Sequence, residues 1–180
     1  MTASVSISLI AAVAKNGAVG RNGALLWNLQ EDLQRFKLLT IGKPVIMGRK
    51  TWLALDKPLP ERLNIVMTSQ PDFTATGATV VHSYEEAVAH AIPLAVQGFG
   101  EIMVIGGAAA YEAALNGPEP LRAQKMYLTE VDDIPDDADA FFPKFNKDEW
   151  QVTQTLPRQG PPPFAFVDYV RKEEKKEQAA

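Results

Sequence analysis

Apolar residues fall in short continuous runs along this chain, separated by stretches whose apolar positions repeat with helical spacing. The strand-length runs are Val5–Val13, Pro44–Met47, Leu63–Thr68, Thr79–His82, Glu101–Ile105, Lys125–Val131, Glu149–Leu156 and Phe164–Arg171. Within them VIM, NIVM and IMVI read as apolar on both faces, as central parallel strands do. Helical spacing covers Gln30–Leu39, a short segment from Thr51, Tyr84–His90 and Ala108–Leu115. Alternation of the two predicts an α/β fold: a mostly parallel, eight-stranded sheet with helices on its faces. After Leu115 the helices stop, and the short turn QGPPP joins the last two strands, so that end of the sheet is expected to be an antiparallel hairpin.

One segment breaks its own pattern. In ALLWNLQEDLQRFK, at about 100° per residue, Leu29, Leu33, Phe36 and Leu39 share one face while Glu31, Gln34, Arg35 and Lys37 turn away. Asp32 falls between Leu39 and Phe36, on the face that is expected to be buried. A desolvated carboxylate without a partner costs several kcal/mol, on the order of a whole domain's margin, so it must be paired, hydrogen-bonded or protonated. The plainer reading is a capping or core-polar role, of which capping is the weaker because Asn28 and Gln30 lie nearer the helix start. A carboxylate held in such a place suits a ligand with adjacent N–H donors, such as an amino-substituted heterocycle, gripped by a bidentate charge-assisted pair.

Composition narrows the picture. A chain of 180 residues, 46% of them apolar, supports one substantial core, read as a single domain over 1–172 followed by a charged, flexible tail at 173–180. The net charge of -4 and the lack of a basic cluster outside that tail speak against nucleic acid as a partner. Cysteine is absent and histidine is limited to His82 and His90, which disfavours disulfides, thiolate chemistry and a histidine metal site. Val5–Val13 is short and has no preceding Lys or Arg, so it reads as a strand and not as a leader. No run approaches the roughly 20 apolar residues of a membrane span, and a cytoplasmic location is expected. The acidic segment DDIPDDADAF lacks the glycine and glutamate spacing of a calcium loop, so no metal is expected and the segment reads as a solvated connection.

Two strand-to-helix steps carry anion chemistry. Gly106 and Gly107 end one strand and open a helix, where free N–H groups and the absence of side chains admit a phosphate. Arg49, Lys50 and Thr51 stand at the mouth of a second step, PVIMGRKTW, and the next strand ends in Thr68, Ser69 and Gln70. Two such steps on neighbouring strand ends suggest a dinucleotide spread across the carboxyl edge of the sheet. The string GFGEIM is not a dinucleotide fingerprint, since it precedes its strand and lacks the third glycine.

In order and spacing, ISLIAAVAKNGAVG, WNLQEDLQRFK, KPVIMGRKTW, PLPERLNIVMTSQ, EIMVIGGAAAY, KMYLTEV and FFP resemble dihydrofolate reductase of the bacterial chromosomal type over nearly the whole chain. The resemblance implies reduction of 7,8-dihydrofolate to 5,6,7,8-tetrahydrofolate by NADPH, with a proton delivered through water, in support of one-carbon and thymidylate metabolism. It implies that Asp32 grips the pteridine, that Thr129 backs it and that Trp27 positions a water. Substrate would meet Ile10, Leu33, Phe36, Leu55, Leu59, Arg62 and Ile105, with Arg62 on the glutamate tail. Cofactor would meet Ala12, Val19, Gly20, Arg49, Lys50, Thr51, Thr68, Ser69, Gly106, Gly107 and Tyr111, and a cis peptide is expected between the paired glycines. Antifolate inhibitors are expected ligands, and a monomer is expected. Three positions depart from the family pattern: Leu26 where a proline is usual, Ala54 where a serine or threonine is frequent, and Ala109 where many members carry an arginine. Two other readings stand beside this one, a reductase of the same fold acting on another pyrimidine or pterin, and a nucleotide-binding module without catalysis.

Overall fold

The computed structural model describes residues 4–174; the end of the expected charged tail, residues 175–180, lies outside them. In chain order the elements are β1 (Ser6–Ala14), β2 (Ala18–Arg21), β3 (Ala24–Leu25), α1 (Gln30–Thr40), β4 (Pro44–Gly48), α2 (Arg49–Leu53), β5 (Leu63–Met67), β6 (Thr79–Val81) and α3 (Tyr84–Gln97). They continue as β7 (Glu101–Gly106), α4 (Ala108–Asn116), β8 (Lys125–Val131), β9 (Ala140–Phe141), a single 3-10 turn at Lys147–Glu149, β10 (Trp150–Arg158) and β11 (Phe164–Arg171). No helix among the described residues is long and apolar enough to cross a membrane.

Eight strands form one sheet in the order β10-β11-β8-β1-β7-β4-β5-β6. Pairing is parallel from β8 to β6 and antiparallel where β11 meets β8 and β10, as the loss of helices after Leu115 predicts. The central strands bury both faces, and Leu9, Val45, Ile46, Met47, Ile65 and Met103 are fully enclosed. One layer of core packs under α3 and α4, and a second lies under α1 and α2 around Ile10, Val45, Met47, Val66 and Met103. The carboxyl ends of β1, β4 and β7 therefore open together at one edge, between two layers of helices.

Three local features differ from expectation. The short helix α2 starts at Arg49 and not Thr51, because Gly48 takes the extended cap conformation and leaves both cations in the first turn. Helix α3 runs on to Gln97, beyond the predicted end at His90. Its buried positions Ala87, Val88, Ala91 and Ala95 continue the same stripe through Pro93, whose lost N–H removes only one helical bond. The segment expected as a solvated acidic connection instead pairs with the loop after β1, forming a second sheet in the order β3-β2-β9. Lys15 pairs with Asp132, Arg21 with Asp137 at 2.7 Å, and Asp139 accepts from the Asn22 N–H at 2.9 Å. The acidic residues are thus partners of the loop, exposed but engaged.

At the opposite, amino-terminal edge sits a buried ionic knot. Glu101 accepts from Lys43 Nζ at 2.6 Å, Ser8 Oγ at 2.5 Å and Tyr127 Oη at 3.1 Å. Burial would push its carboxyl up, but the three donors more than offset that and hold it below the usual range.

Candidate active site

Helix α1 is turned so that its buried arc is centred near Asp32 and not on the leucines. Phe36, Leu39 and Thr40 face the protein, while Leu33 is 45% exposed and faces open space. Asp32 meets β8, where Thr129 Oγ1 donates to its Oδ1 at 2.5 Å. Among the described residues no other donor reaches the carboxylate, so its second oxygen keeps its full acceptor capacity. Burial raises the Asp32 carboxyl above its ordinary value, opposed by the Thr129 hydrogen bond and then by the Arg35 cation.

The other wall is the carboxyl edge of β1 and β7. Tyr111 of α4 is buried beneath it, and its hydroxyl is shared between the carbonyls of Ile10 at 2.8 Å and Ile105 at 3.0 Å. Each carbonyl has two lone pairs, so one remains on each for a further donor. Burial, then the Asp32 charge, holds the Tyr111 hydroxyl protonated. Ile10 belongs to the same apolar cluster as Phe36, Leu55, Leu59 and Ile105. Asn64, which the sequence does not single out, is buried and binds this wall from behind. Its side chain accepts from Leu59 N at 3.0 Å and donates to the carbonyls of Leu59 at 2.9 Å and Arg62 at 3.0 Å. The signal was weak, a polar residue at the second position of an otherwise apolar strand. Arg62 then turns its guanidinium toward Thr40 Oγ1, at 3.1 Å.

The paired glycines lie beside this wall. Gly106 and Gly107 are joined by a cis peptide, and Gly106 has φ +132°. A Cβ on Gly106 would lie 3.3 Å from both Thr51 Oγ1 and Tyr111 Oη, so only glycine lets these strand ends approach. Gly48 sits against the same pair, its missing Cβ 3.7 Å from Gly107 N. Arg49 and Lys50 open α2 next to them, with Ala54 at the exposed end of that helix and Ala109 exposed on α4. Thr68 is buried, its carbonyl bonded to His82 Nδ1 at 2.9 Å, and Ser69 is exposed at the end of β5. Of the seven arginines, five pair with carboxylates, and among the described residues Arg49 and Arg62 alone do not.

The remaining predicted residues lie on β1, on β2 and in the segment before α1. Ala12 pairs with Thr129 in the sheet register, Val19 packs on the core, and Gly20 is buried in β2 between β3 and β9. Leu26 is half-buried just before Trp27. The Trp27 indole N–H donates to Asp133 Oδ2 at 2.8 Å, while Asp133 Oδ1 accepts from Ile134 N at 2.8 Å. Asp133 thus fixes the ring from the acidic segment. Replacing Asp133 with alanine is expected to cost about 1 kcal/mol of unfolding free energy in urea and to speed amide exchange at Ala18 and Gly20; unchanged exchange would mean that the loop is held without it.

The family model described as dihydrofolate reductase matches residues 6–171. The dihydrofolate reductase of Neisseria meningitidis serogroup A is 41% identical over 171 residues, spanning 93% of this chain and 99% of that protein. That of Mycobacterium leprae is 42% identical over 149 residues, spanning 80% and 84%. The structure of dihydrofolate reductase from Enterococcus faecalis, complexed with NADP(H) and RAB-propyl, is similar with a TM-score of 0.81 at 29% identity, over 93% of this chain and 97% of that one.

Proposed function

The chain belongs to the dihydrofolate reductase family, and from that membership we propose how its residues divide the reduction of 7,8-dihydrofolate by NADPH. The observation that carries the reading is Asp32, an acid half-buried on an apolar face, with one oxygen held by Thr129 and the other without a donor among the described residues. A pterin presents an amino group and a ring N–H side by side, which match one carboxylate in bidentate fashion. Phe36, Leu55 and Leu59 supply apolar walls for flat rings, and Arg62, without a carboxylate partner among the described residues, suits the carboxylate of a glutamate tail.

The carboxyl edge fits the cofactor. A Cβ at Gly106 would fill the space beside Thr51 and Tyr111, Gly48 and Gly107 keep the backbone bare, and Arg49 and Lys50 have no carboxylate partners among the described residues. Arg49, Lys50, Thr51, Thr68 and Ser69 would hold phosphates, and Ala12, Val19, Gly20 and Tyr111 would border the nicotinamide. Bound NADPH supplies a hydride to the pteridine ring. Asp32, kept ionised when the pterin binds, raises the proton affinity of the ring through its charge, and Trp27 closes the site to bulk water while a proton enters through an ordered one. The product would serve one-carbon transfer. Diaminopyrimidine antifolates would offer Asp32 the same donor pair.

Purified protein mixed with NADPH and dihydrofolate is expected to lose the cofactor's absorbance; no consumption would leave the non-catalytic nucleotide-binding reading. Arg49→Ala is expected to raise the KM for NADPH about 10- to 50-fold, as lost charge-assisted phosphate bonds would, and to leave that for NADH unchanged. Equal use of NADH by the parent enzyme would overturn the phosphate assignment.

A further inference from the structure

Arg35 lies on the flank of α1 that the helical pattern turns toward solvent, yet its side chain is only 17% exposed. It crosses to β11, where its guanidinium pairs with Asp168, itself 18% exposed, and stands 4.6 Å from the centroid of the Phe166 ring and 5.8 Å from that of Tyr127. The register explains why this matters for the site. Phe166 is the cross-strand partner of Thr129, and Asp168 is the partner of Tyr127. Asp32 and Arg35, three residues apart on one helix, are therefore anchored to two successive cross-strand pairs of the same sheet face. Side chains so spaced on a helix have Cβ atoms about 5–6 Å apart.

We propose that Arg35 is a positioning residue for the reaction: locked by Asp168 and Phe166, its cation favours the ionised form of Asp32 and so sets the pH range in which the site can bind and reduce a pterin. The proposal rests on Asp32 being the pterin-binding acid. An aromatic or aliphatic side chain could fill the same space against Phe166 and Tyr127, but it would leave the largely buried Asp168 carboxylate without its counter-charge. Arg35 lowers the cost of the Asp32 charge, and loss of the Asp168 charge would leave that cation uncompensated.

The elements packed around the pair bring further polar groups to it. From β8, Tyr127 is held protonated by burial and by the Glu101 charge beyond it, and Thr129 is neutral. From α4, Tyr111 also stays protonated. Glu101 is tied to Lys43 below the usual carboxylate range. Arg158 of β10 reaches the Phe166 ring at 5.5 Å but is paired with Glu31 at 2.7 Å on the solvent side.

The test is a carbon NMR titration of the Asp32 side-chain carboxyl in ligand-free protein, together with the pH dependence of binding a diaminopyrimidine. Arg35→Met is expected to move the Asp32 midpoint about one pH unit up, and Asp168→Asn, which removes a negative charge and keeps the cation, to move it the opposite way. The double variant is expected to fall between them, and Arg35→Lys to stay near the parent. The acid limb of diaminopyrimidine binding should move with each midpoint. If both single variants move it in the same direction, or neither moves it, the proposal fails. Should Arg35→Met not fold, Asp168→Asn and Arg35→Lys decide the sign alone. Because the titration needs no turnover, the coupling is scored separately from the assignment of Asp32: midpoints that move as expected beside full activity of Asp32→Asn would sustain the coupling and sink the pterin assignment.

Discussion

Asp32→Asn is expected to lower kcat/KM for dihydrofolate at neutral pH by about two to three orders of magnitude, some 3–4 kcal/mol of transition-state stabilisation. The amide keeps the shape and the Thr129 hydrogen bond but offers a donor where the pterin also offers one, and it has no charge to raise the ring's proton affinity. The loss should shrink toward acid pH, where substrate arrives already protonated. Stability should move the other way. The folded-state carboxyl of Asp32 is raised, so its contribution is present below the unfolded value and lost as pH rises through the folded one. At neutral pH the ionised acid therefore weakens the free fold, and the variant should melt at or above the parent temperature. Steady-state rates over a pH series and thermal melting at neutral pH test both halves; a variant that is fully active, or markedly less stable, contradicts the assignment.

Lys43→Met is expected to be the most destabilising single change at the far edge of the sheet, about 3–5 kcal/mol at neutral pH. Lys43 and Glu101 are 12% and 9% exposed in their side chains, so removing the cation strands a buried carboxylate on two hydroxyls. The sign with pH distinguishes this from lost packing. In the parent the Glu101 carboxyl is depressed, so its contribution is present above the unfolded value and lost as pH falls through the folded one. Without Lys43 desolvation dominates, the carboxyl rises, and the variant's deficit narrows on mild acidification as the group takes a proton. Urea midpoints at neutral and mildly acid pH measure this. The companion Lys43→Met/Glu101→Leu should recover most of the loss, since no buried charge remains, whereas a deficit that ignores pH would point to packing alone. Folded Lys43→Met protein should keep its kcat, because Glu101 and Gly106 stand at opposite ends of β7.

The sheet was legible because its evidence is local. A strand buried on both faces must be apolar throughout, and the change from helix-linked to turn-linked strands after Leu115 announces where parallel pairing stops. Asp32 was legible as an anomaly, a charge where the helical period demanded a hydrocarbon. Arg35 was not, since the same period places it on the wet side, and only a carboxylate on β11 and an aromatic ring beside it draw it inward. The acidic segment misled for a similar reason: a run of Asp reads as solvated whether or not a loop more than a hundred residues earlier supplies Lys15, Arg21 and Trp27 as its partners. Helix α3 runs past the expected end at His90 and through Pro93, because Ala91 and Ala95 extend the stripe of buried alanines.

The place of β1 in the sheet bears on how the chain is made. Its two neighbours are β7 and β8, so Ser6 waits for Glu101 and Ser8 for Met103 on one side and for Lys125 on the other. During synthesis β4, β5 and β6 can join one another early, but the apolar SISLIAAVA leaves the ribosome with nothing to pair with until more than half the chain has followed. Non-local pairing of this kind slows folding and leaves strand edges open to other chains. Late closing of the sheet is therefore expected from strand order, carried by the same central strand whose carboxyl half holds Ile10 and Ala12.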